Sequence, residues 1–295
     1  MTQQLTCPIC HANSFTPFLK VKDHTVSQET FEVLKCNKCS FLLTHPIPAD
    51  LGKYYESVNY ISHSNQTTTI TDALYKIARG ITLKWKTNLI TEYNSLPTKT
   101  LLDYGCGTGA FLTHAKKYGW DINGVEPAHQ PREIATSSTK VKITPSIQEL
   151  PSKQYSVITL WHVIEHVHQL HETLNELTSR LENNGTIFIA VPNHSSKDAQ
   201  KYREHWAAYD TPRHLWHFSK STMLDLLKQH GLTPYKIVPM KLDALYVSIL
   251  SEQYKASRKS AGVRELIRGI ISGLQSNLAA IRNKEYSSLI YIARK

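Results

Sequence analysis

The strongest constraint in this chain is a short run before its midpoint, Thr100-Leu101-Leu102-Asp103-Tyr104-Gly105-Cys106-Gly107-Thr108-Gly109. An apolar strand runs into a turn with glycine at alternate positions, and Ala110 to Tyr118 then carries helical spacing closed by Gly119. Glycines this dense belong where the backbone takes left-handed angles or approaches a ligand with no Cβ in the way. The next strand, Asp121 to Val125, ends in Glu126, about 20 residues after the turn, where a carboxylate can accept hydrogen bonds from both hydroxyls of a ribose. Strand, glycine turn, helix, strand and acid make a dinucleotide-like βαβ unit. Gly105, Gly107 and Ala110 also satisfy the Gly-x-Gly-x-x-Gly/Ala pattern of nicotinamide enzymes, so the turn alone leaves the cofactor open.

The whole string, Asp103-x-Gly105-x-Gly107-x-Gly109 followed by Glu126, resembles motif I and the acidic second-strand end of class I S-adenosylmethionine-dependent methyltransferases. Further along, Tyr155-Ser156-Val157-Ile158-Thr159-Leu160-Trp161-His162-Val163-Ile164-Glu165-His166-Val167 is similar to the fourth strand and loop of the subgroup that includes ubiquinone-biosynthesis O-methyltransferases. Ser156 stands where many members carry Asp and is given no role. The resemblance implies S-adenosylmethionine as cofactor, with Asp103, Gly105, Gly107, Gly109, Glu126, Trp161 and His162 around it. It also implies an α/β, Rossmann-like, seven-stranded sheet, mostly parallel with the last strand antiparallel and with helices on both faces. Local patterns continue that reading: a helix Leu170 to Leu181, a turn Asn183-Asn184-Gly185, a strand Thr186 to Val191 and a helix Ser219 to His230 closed by Gly231. Pro234 to Met240 and Tyr286 to Ala293 read as the closing strands. The methyltransferase domain is expected over 99–295, with insertions at about 193–218 and 241–284.

Four of the five cysteines sit in two Cys-x-x-Cys pairs, Cys7 with Cys10 and Cys36 with Cys39. Two thiolate knuckles can grip one ion, and four soft sulfur ligands select zinc. Four protein ligands close the shell, so the zinc is expected to be structural and residues 1–48 to form a zinc ribbon. His11 and His45 beside the knuckles read as surface histidines. Pro46-Ile47-Pro48 ends the module. Residues 49–98 then read as a linker or lid, carrying Tyr54-Tyr55 and Asn59-Tyr60-Ile61-Ser62-His63, with an amphipathic helix from about Asp72 to Tyr93.

Methyl transfer needs an aligned nucleophile, and an oxygen or nitrogen nucleophile must also lose a proton. His166 is the first candidate base and His214 the second. The quinone-type resemblance adds a divalent ion near Glu165 and His166. Trp206-Ala207-Ala208-Tyr209-Asp210-Thr211-Pro212-Arg213-His214 follows the fifth strand, on the carboxyl edge where open α/β sheets bind ligands. Trp206 and Tyr209 can stack a flat substrate there, and Arg213 can pair with an anionic group. Equally, the aromatics can plug the sheet edge while Asp210 and Arg213 pair with each other.

The net charge is +10, from 34 Lys plus Arg against 24 Asp plus Glu, with the excess gathered after Lys255. That surplus attracts nucleic acid, anionic lipid or acidic small molecules, but there is no run of basic residues of the kind that reads nucleic acid. No apolar run approaches the roughly 20 residues of a membrane span, and Met1-Thr2-Gln3-Gln4 is no signal peptide, so a cytoplasmic location is expected. In the second insertion Val263, Leu266, Ile267, Ile270, Ile271, Leu274, Leu278 and Ile281 recur at helical spacing with Arg264, Arg268 and Arg282 interleaved. Core packing is expected of that stripe; a partner or peripheral contact with an anionic membrane is the alternative. The function expected is methyl transfer to a small-molecule acceptor at oxygen. An RNA methyltransferase using the ribbon and basic surface is the rival, and a non-catalytic zinc-ribbon assembly protein the second.

Overall fold

A six-stranded sheet carries the centre of the molecule. The computed structural model describes residues 5–55, 70–258 and 261–295, so Asn59 to His63 lie outside the described residues. The sheet's strands are β4 (Thr100–Tyr104), β5 (Asp121–Val125), β6 (Tyr155–Trp161), β7 (Leu181–Pro192), β9 (Thr233–Pro239) and β10 (Ser288–Arg294), in the order β5-β4-β6-β7-β10-β9. β4 pairs in parallel with β5 and β6, β6 in parallel with β7, and β10 runs antiparallel to both β7 and β9. The chain leaves β4 toward β5 and returns on its other side to β6, so the carboxyl ends of these strands diverge into a crevice.

Seven strands were expected and six are described. At the seventh position a single parallel bridge, Val125 to Thr144, is all that forms, and Pro145 stops its extension. The expected turn at Asn183 to Gly185 lies inside β7. Tyr155 faces Leu181 but Val157 faces Thr186, so the intervening residues bulge out, with Asn184 in the left-handed region at φ 62°.

Around this sheet lie α1 (Ile70–Tyr93), α2 (Ala110–Lys117), α3 (His129–Thr139), α4 (Leu170–Arg180) and α6 (Lys220–Gln229). α6 opens on a capping box in which Ser219 accepts from Thr222 N and Thr222 reciprocates. No described helix is long and apolar enough to cross a membrane.

A second sheet, β1 (Phe15–Lys22), β2 (Thr30–Cys36) and β3 (Leu42–His45), is antiparallel and is completed by β8 (Trp216–His217), which comes from the aromatic loop some 170 residues later. Its apolar face is continuous with the main core. Cys7, Ile9, Leu34, Phe41 and Leu43 share one buried cluster with Ile158, Ile164, Phe218 and Met223. Backbone acceptors fix the docking: His171 Nε2–H donates to Pro8 O at 2.7 Å and Gln229 Nε2 to Ile9 O at 2.8 Å.

The second insertion folds into α7 (Lys241–Lys255) and α8 (Val263–Asn283), and here the apolar stripe does not enter the core. Val263, Leu266, Ile267, Ile270, Ile271, Leu274, Leu278 and Ile281 are all exposed, while Gly269, Ser272, Gly273, Ser276 and Ala280 are buried. Small residues win the inner face because the helices touch closely. A Cβ at Gly269 would sit 2.5 Å from Ile249 Cα, and one at Gly273 2.6 Å from Ala244 O. α5 (Lys197–Tyr202) anchors the same side, with Ser276 donating to Asp198 at 2.7 Å and Lys201 to Ser272 at 2.9 Å.

Candidate active site

The glycine turn is pinned to the end of β5. Gly105 N and Cys106 N donate to Val125 O at 2.8 and 3.0 Å, and Gly105 and Gly107 take φ of 74° and 53°. The glycines differ in what demands them. A Cβ at Gly105 would strike Val163 at 2.5 Å, and one at Gly109 would strike Ala135 on α3 at 2.9 Å, so Gly109 serves close helix packing, not the cleft. Gly107 alone of the three faces open space. Glu126 accepts from Gly107 N at 2.8 Å and from Ala128 N at 2.9 Å, which holds its carboxylate against that open turn. Asp103 lies buried beneath, accepting from Thr159 Oγ1 at 2.6 Å, and burial pushes its carboxyl up to about 7.

Trp161 ends β6 edge-to-face with Phe111, under the Lys86 ammonium, which lies 4.3 Å from its ring centre. Its Nε1–H is buried and has no hydrogen-bond partner among the described residues. Lys86, on α1, is lowered to about 8 by burial, with Asp243 and Asp103 opposing. The next residue, His162, takes a left-handed φ of 57° and reaches Asp243 Oδ2 at 3.0 Å and Glu165 Oε1 at 3.4 Å. Burial works against its charge, yet the two carboxylates prevail and raise it to about 9, so the pair is bridged by an imidazolium.

The short helical turn Ile164–His166 then presents Glu165 and His166 beside His214. His166 Nδ1–H donates to Arg213 O at 3.0 Å, with Tyr55 OH at 3.1 Å, and His214 Nδ1–H donates to Ala208 O at 2.8 Å. A carbonyl can only accept, so Nδ1 of each ring carries a proton, and a lone pair for proton transfer can lie only on Nε2. The two rings meet edge-on at 4.4 Å between centres, and one ligand atom each from Glu165, His166 and His214 lies within 4.8 Å of the others. Burial and then the neighbouring His214 lower His166 to about 4, so it is neutral at ordinary pH.

The aromatic loop supports this cluster from behind and does not line an open cleft. Trp206 and Tyr209 are each 2% exposed, packed edge-to-face, with Trp206 Nε1 donating to Asp198 at 2.8 Å. Arg213 is 1% exposed and donates to Asp23 at 3.0 Å, Asp210 at 2.6 Å and Tyr54 O at 3.0 Å, and also to Thr25. Of the two readings of this loop, the packed rings and the Asp210–Arg213 pair are the contacts the described residues form. Two acids separated by most of the chain claim the guanidinium, and tertiary packing claims the rings. Sequence reasoning missed Tyr55, Asp243, Lys86 and Asp23 as parts of the site; only the Tyr54-Tyr55 pair had a signal, in a segment read as a lid.

Cys7, Cys10, Cys36 and Cys39 place their Sγ atoms within 4.8 Å of one another, with contacts of 3.5 Å (Cys7 to Cys39) and 3.4 Å (Cys10 to Cys36). Tetrahedral ligands at about 2.3 Å from zinc stand roughly 3.8 Å apart, so the donor set and its size are compatible with zinc. His11 and Ser40, at φ 57° and 62°, turn the two knuckles back.

A doubly wound sheet whose switch point carries a glycine turn and a facing carboxylate defines a nucleoside-cofactor domain. The profile of the family described as "Methyltransferase domain" matches residues 78–237. The chain belongs to that family and is a class I S-adenosylmethionine-dependent methyltransferase. The ubiquinone biosynthesis O-methyltransferase of Rickettsia canadensis (strain McKiel) is 26% identical over 49% of this chain and 66% of its own length, just under two thirds. The protein of the same name from Pelagibacter ubique (strain HTCC1062) is 26% identical over 60% of this chain and 79% of its own. Among solved structures, magnesium protoporphyrin IX methyltransferase from Synechocystis PCC 6803, with bound S-adenosylhomocysteine, matches with a TM-score of 0.52 at 10% identity, over 82% of this chain and 96% of that one. That likeness bears on the fold.

Proposed function

We propose that this enzyme transfers the methyl group of S-adenosylmethionine to an oxygen of a small-molecule acceptor, with His166 as the acceptor's base and His214 as its closest support. The observation that carries the reading is the tautomer lock. Two adjacent imidazoles have Nδ1 committed to backbone carbonyls, which leaves Nε2 of the neutral His166 as its proton-accepting atom. Glu165, buried between them and the His162 imidazolium, favours the positive charge that His166 gains when the acceptor hydroxyl gives up its proton. The bound sulfonium supplies the activated methyl, and what remains for the protein is alignment. The name shared by the two relatives supports oxygen as the methylated atom.

The cleft fits that cofactor. Gly107 offers open backbone, Glu126 stands beside it to receive the ribose hydroxyls, and the unpartnered Trp161 Nε1–H awaits an acceptor. Asp103, Gly105 and Gly109 shape the turn from beneath, and His162 holds β6 to α7 through Asp243. Glu126→Ala is expected to weaken S-adenosylhomocysteine binding about 10- to 100-fold, the loss of hydrogen bonds to a charged group. Calorimetry reads the affinity and a thermal melt checks that the fold persists; unchanged affinity would remove Glu126 from the cofactor.

For the base, His166→Gln is expected to lower kcat about 10²- to 10³-fold with cofactor affinity kept. S-adenosylhomocysteine release with a panel of phenolic acceptors measures it, and a variant as fast as the parent would overturn the assignment. A divalent ion held by Glu165, His166 and His214 is the second reading, favoured by the convergence of their three ligand atoms. Such an ion would act as a Lewis acid on the acceptor oxygen. Nε2 of His166 cannot be ligand and base at once, so Mn²⁺ binding abolished by His166→Gln would select this reading.

Residues 1–48 we take as a ribbon closed by structural zinc on Cys7, Cys10, Cys36 and Cys39, residues 49–98 as the connection and 99–295 as the methyltransferase domain. The ribbon's part in the reaction is to brace His214. Thr44 Oγ1 donates to His214 O at 2.6 Å, Thr44 N donates to Leu215 O at 3.0 Å, and Leu215 N donates to Glu165 O at 2.8 Å.

A further inference from the structure

The outward face of α8 has no use in the site described above. Val263, Ile267, Ile271, Leu274, Leu278 and Ile281 are between 49% and 75% exposed. At about 100° per residue the whole apolar stripe spans roughly 140° of the helix, an unbroken band along its full length. The inner face is locked by Gly269 and Gly273 against α7, so the helix cannot roll this band inward.

Charge decides what covers the band. Arg264 and Arg282 border one edge of it and Arg268 lies just beyond, all exposed. The sole acid of the helix, Glu265, is buried near the helix start with Arg258 at 3.8 Å. The face is thus apolar and cationic, with no carboxylate. A second copy of the chain, docked face to face, would bring an equally acid-free surface and leave the arginines facing like charge. Phospholipid headgroups supply the missing anions and the acyl region takes the aliphatic side chains, an arrangement suited to a helix lying in the plane of a bilayer surface.

We propose that α8 is an interfacial helix that seats this enzyme on membranes containing anionic lipid. Asp243, which holds His162, is on α7, and α7 packs directly under α8, so seating brings the reaction cleft within one helix of the bilayer. The inference does not depend on the nature of the acceptor.

The test is flotation of the full chain with phosphatidylcholine vesicles, with and without phosphatidylglycerol. The protein is expected to float with the anionic vesicles and to be released by salt. Ile271→Ser with Leu274→Ser and Leu278→Ser should weaken partitioning more than tenfold, and each arginine replaced by glutamine about fivefold. These side chains are exposed, so the melting temperature should hold and report that the variants are folded. Two results would overturn the proposal: a parent protein that stays unbound with anionic vesicles, or a dimer in solution that the serine variant converts to monomer, which would assign the face to a second copy.

Discussion

Arg213→Ala is expected to destabilise the protein by about 3–5 kcal/mol, the cost of leaving buried carboxylates without their cation. The guanidinium joins three parts of the chain: Asp23 after β1, Tyr54 O in the connection and Asp210 in the aromatic loop. Asp23 is the deeper of the two acids, and its other partners are Thr25, Val26 and Ser27 within its own turn. With the arginine gone, that carboxylate keeps its local hydrogen bonds and loses its counter-charge. Denaturant unfolding measures the loss, and Asp23→Asn combined with Arg213→Met should recover part of it, because the deeper charge is removed while Asp210, the more accessible acid, still lacks its cation. The pH dependence has a definite sign. Burial opposes ionisation of Asp23, but the bonds and charge of Arg213 hold it well below the usual carboxylate range. A depressed carboxylate contributes stability that is present above its unfolded pKa and lost as pH falls. The gap between parent and Arg213→Ala should therefore narrow below about pH 4. A loss under 1 kcal/mol at neutral pH would show that Arg213 contributes little to the fold and reopen its role toward substrate.

What the sequence discloses here is what local pattern controls. β4, the glycine turn and the Glu126 end of β5 are readable because each demand, left-handed φ, close approach and a carboxylate at a strand end, falls on residues near one another. The four cysteines are readable because ligand spacing is local within each knuckle. Long-range choices are hidden. His162 meets Asp243 across 81 positions, and neither residue's neighbours hint at the other. Periodicity found the stripe on α8 but could not say that the opposite, small-residue face would pack, since Gly269, Ser272, Gly273 and Ser276 acquire that role from α5 and α7. Trp206, Tyr209 and Arg213 carried residue types suited to a ligand site, and the core took them first. His166 and His214 stand out in the sequence, but their ring orientation depends on carbonyls at Arg213 and Ala208 that no side-chain pattern encodes.

Removing the zinc proposed for the four cysteines should separate methyl transfer from cofactor binding. Cys36 is fully buried and ends β2, and the knuckle it shares with Cys39 leads through Phe41 into β3. Structural zinc contributes on the order of 10 kcal/mol in isolated modules, so Cys36→Ser or chelation should melt β1 to β3, whose own apolar area is small. β3 is the strand that pairs with β8 through Leu42 to His217 and Leu43 to Trp216, and Thr44 holds the backbone of His214 and Leu215. Without that edge His214 loses its register beside His166, while the glycine turn and Glu126, held by β5 and α3, keep theirs. The expected result is one zinc per chain in the parent by metal analysis. In the zinc-free protein kcat should fall more than about 10²-fold, as a shift of about 1 Å in the group that supports the base implies. S-adenosylhomocysteine affinity should stay within about threefold, a difference of less than 1 kcal/mol. Equal loss of both would mean that the ribbon supports the whole fold, and undiminished turnover without zinc would mean that it has no hold on His214.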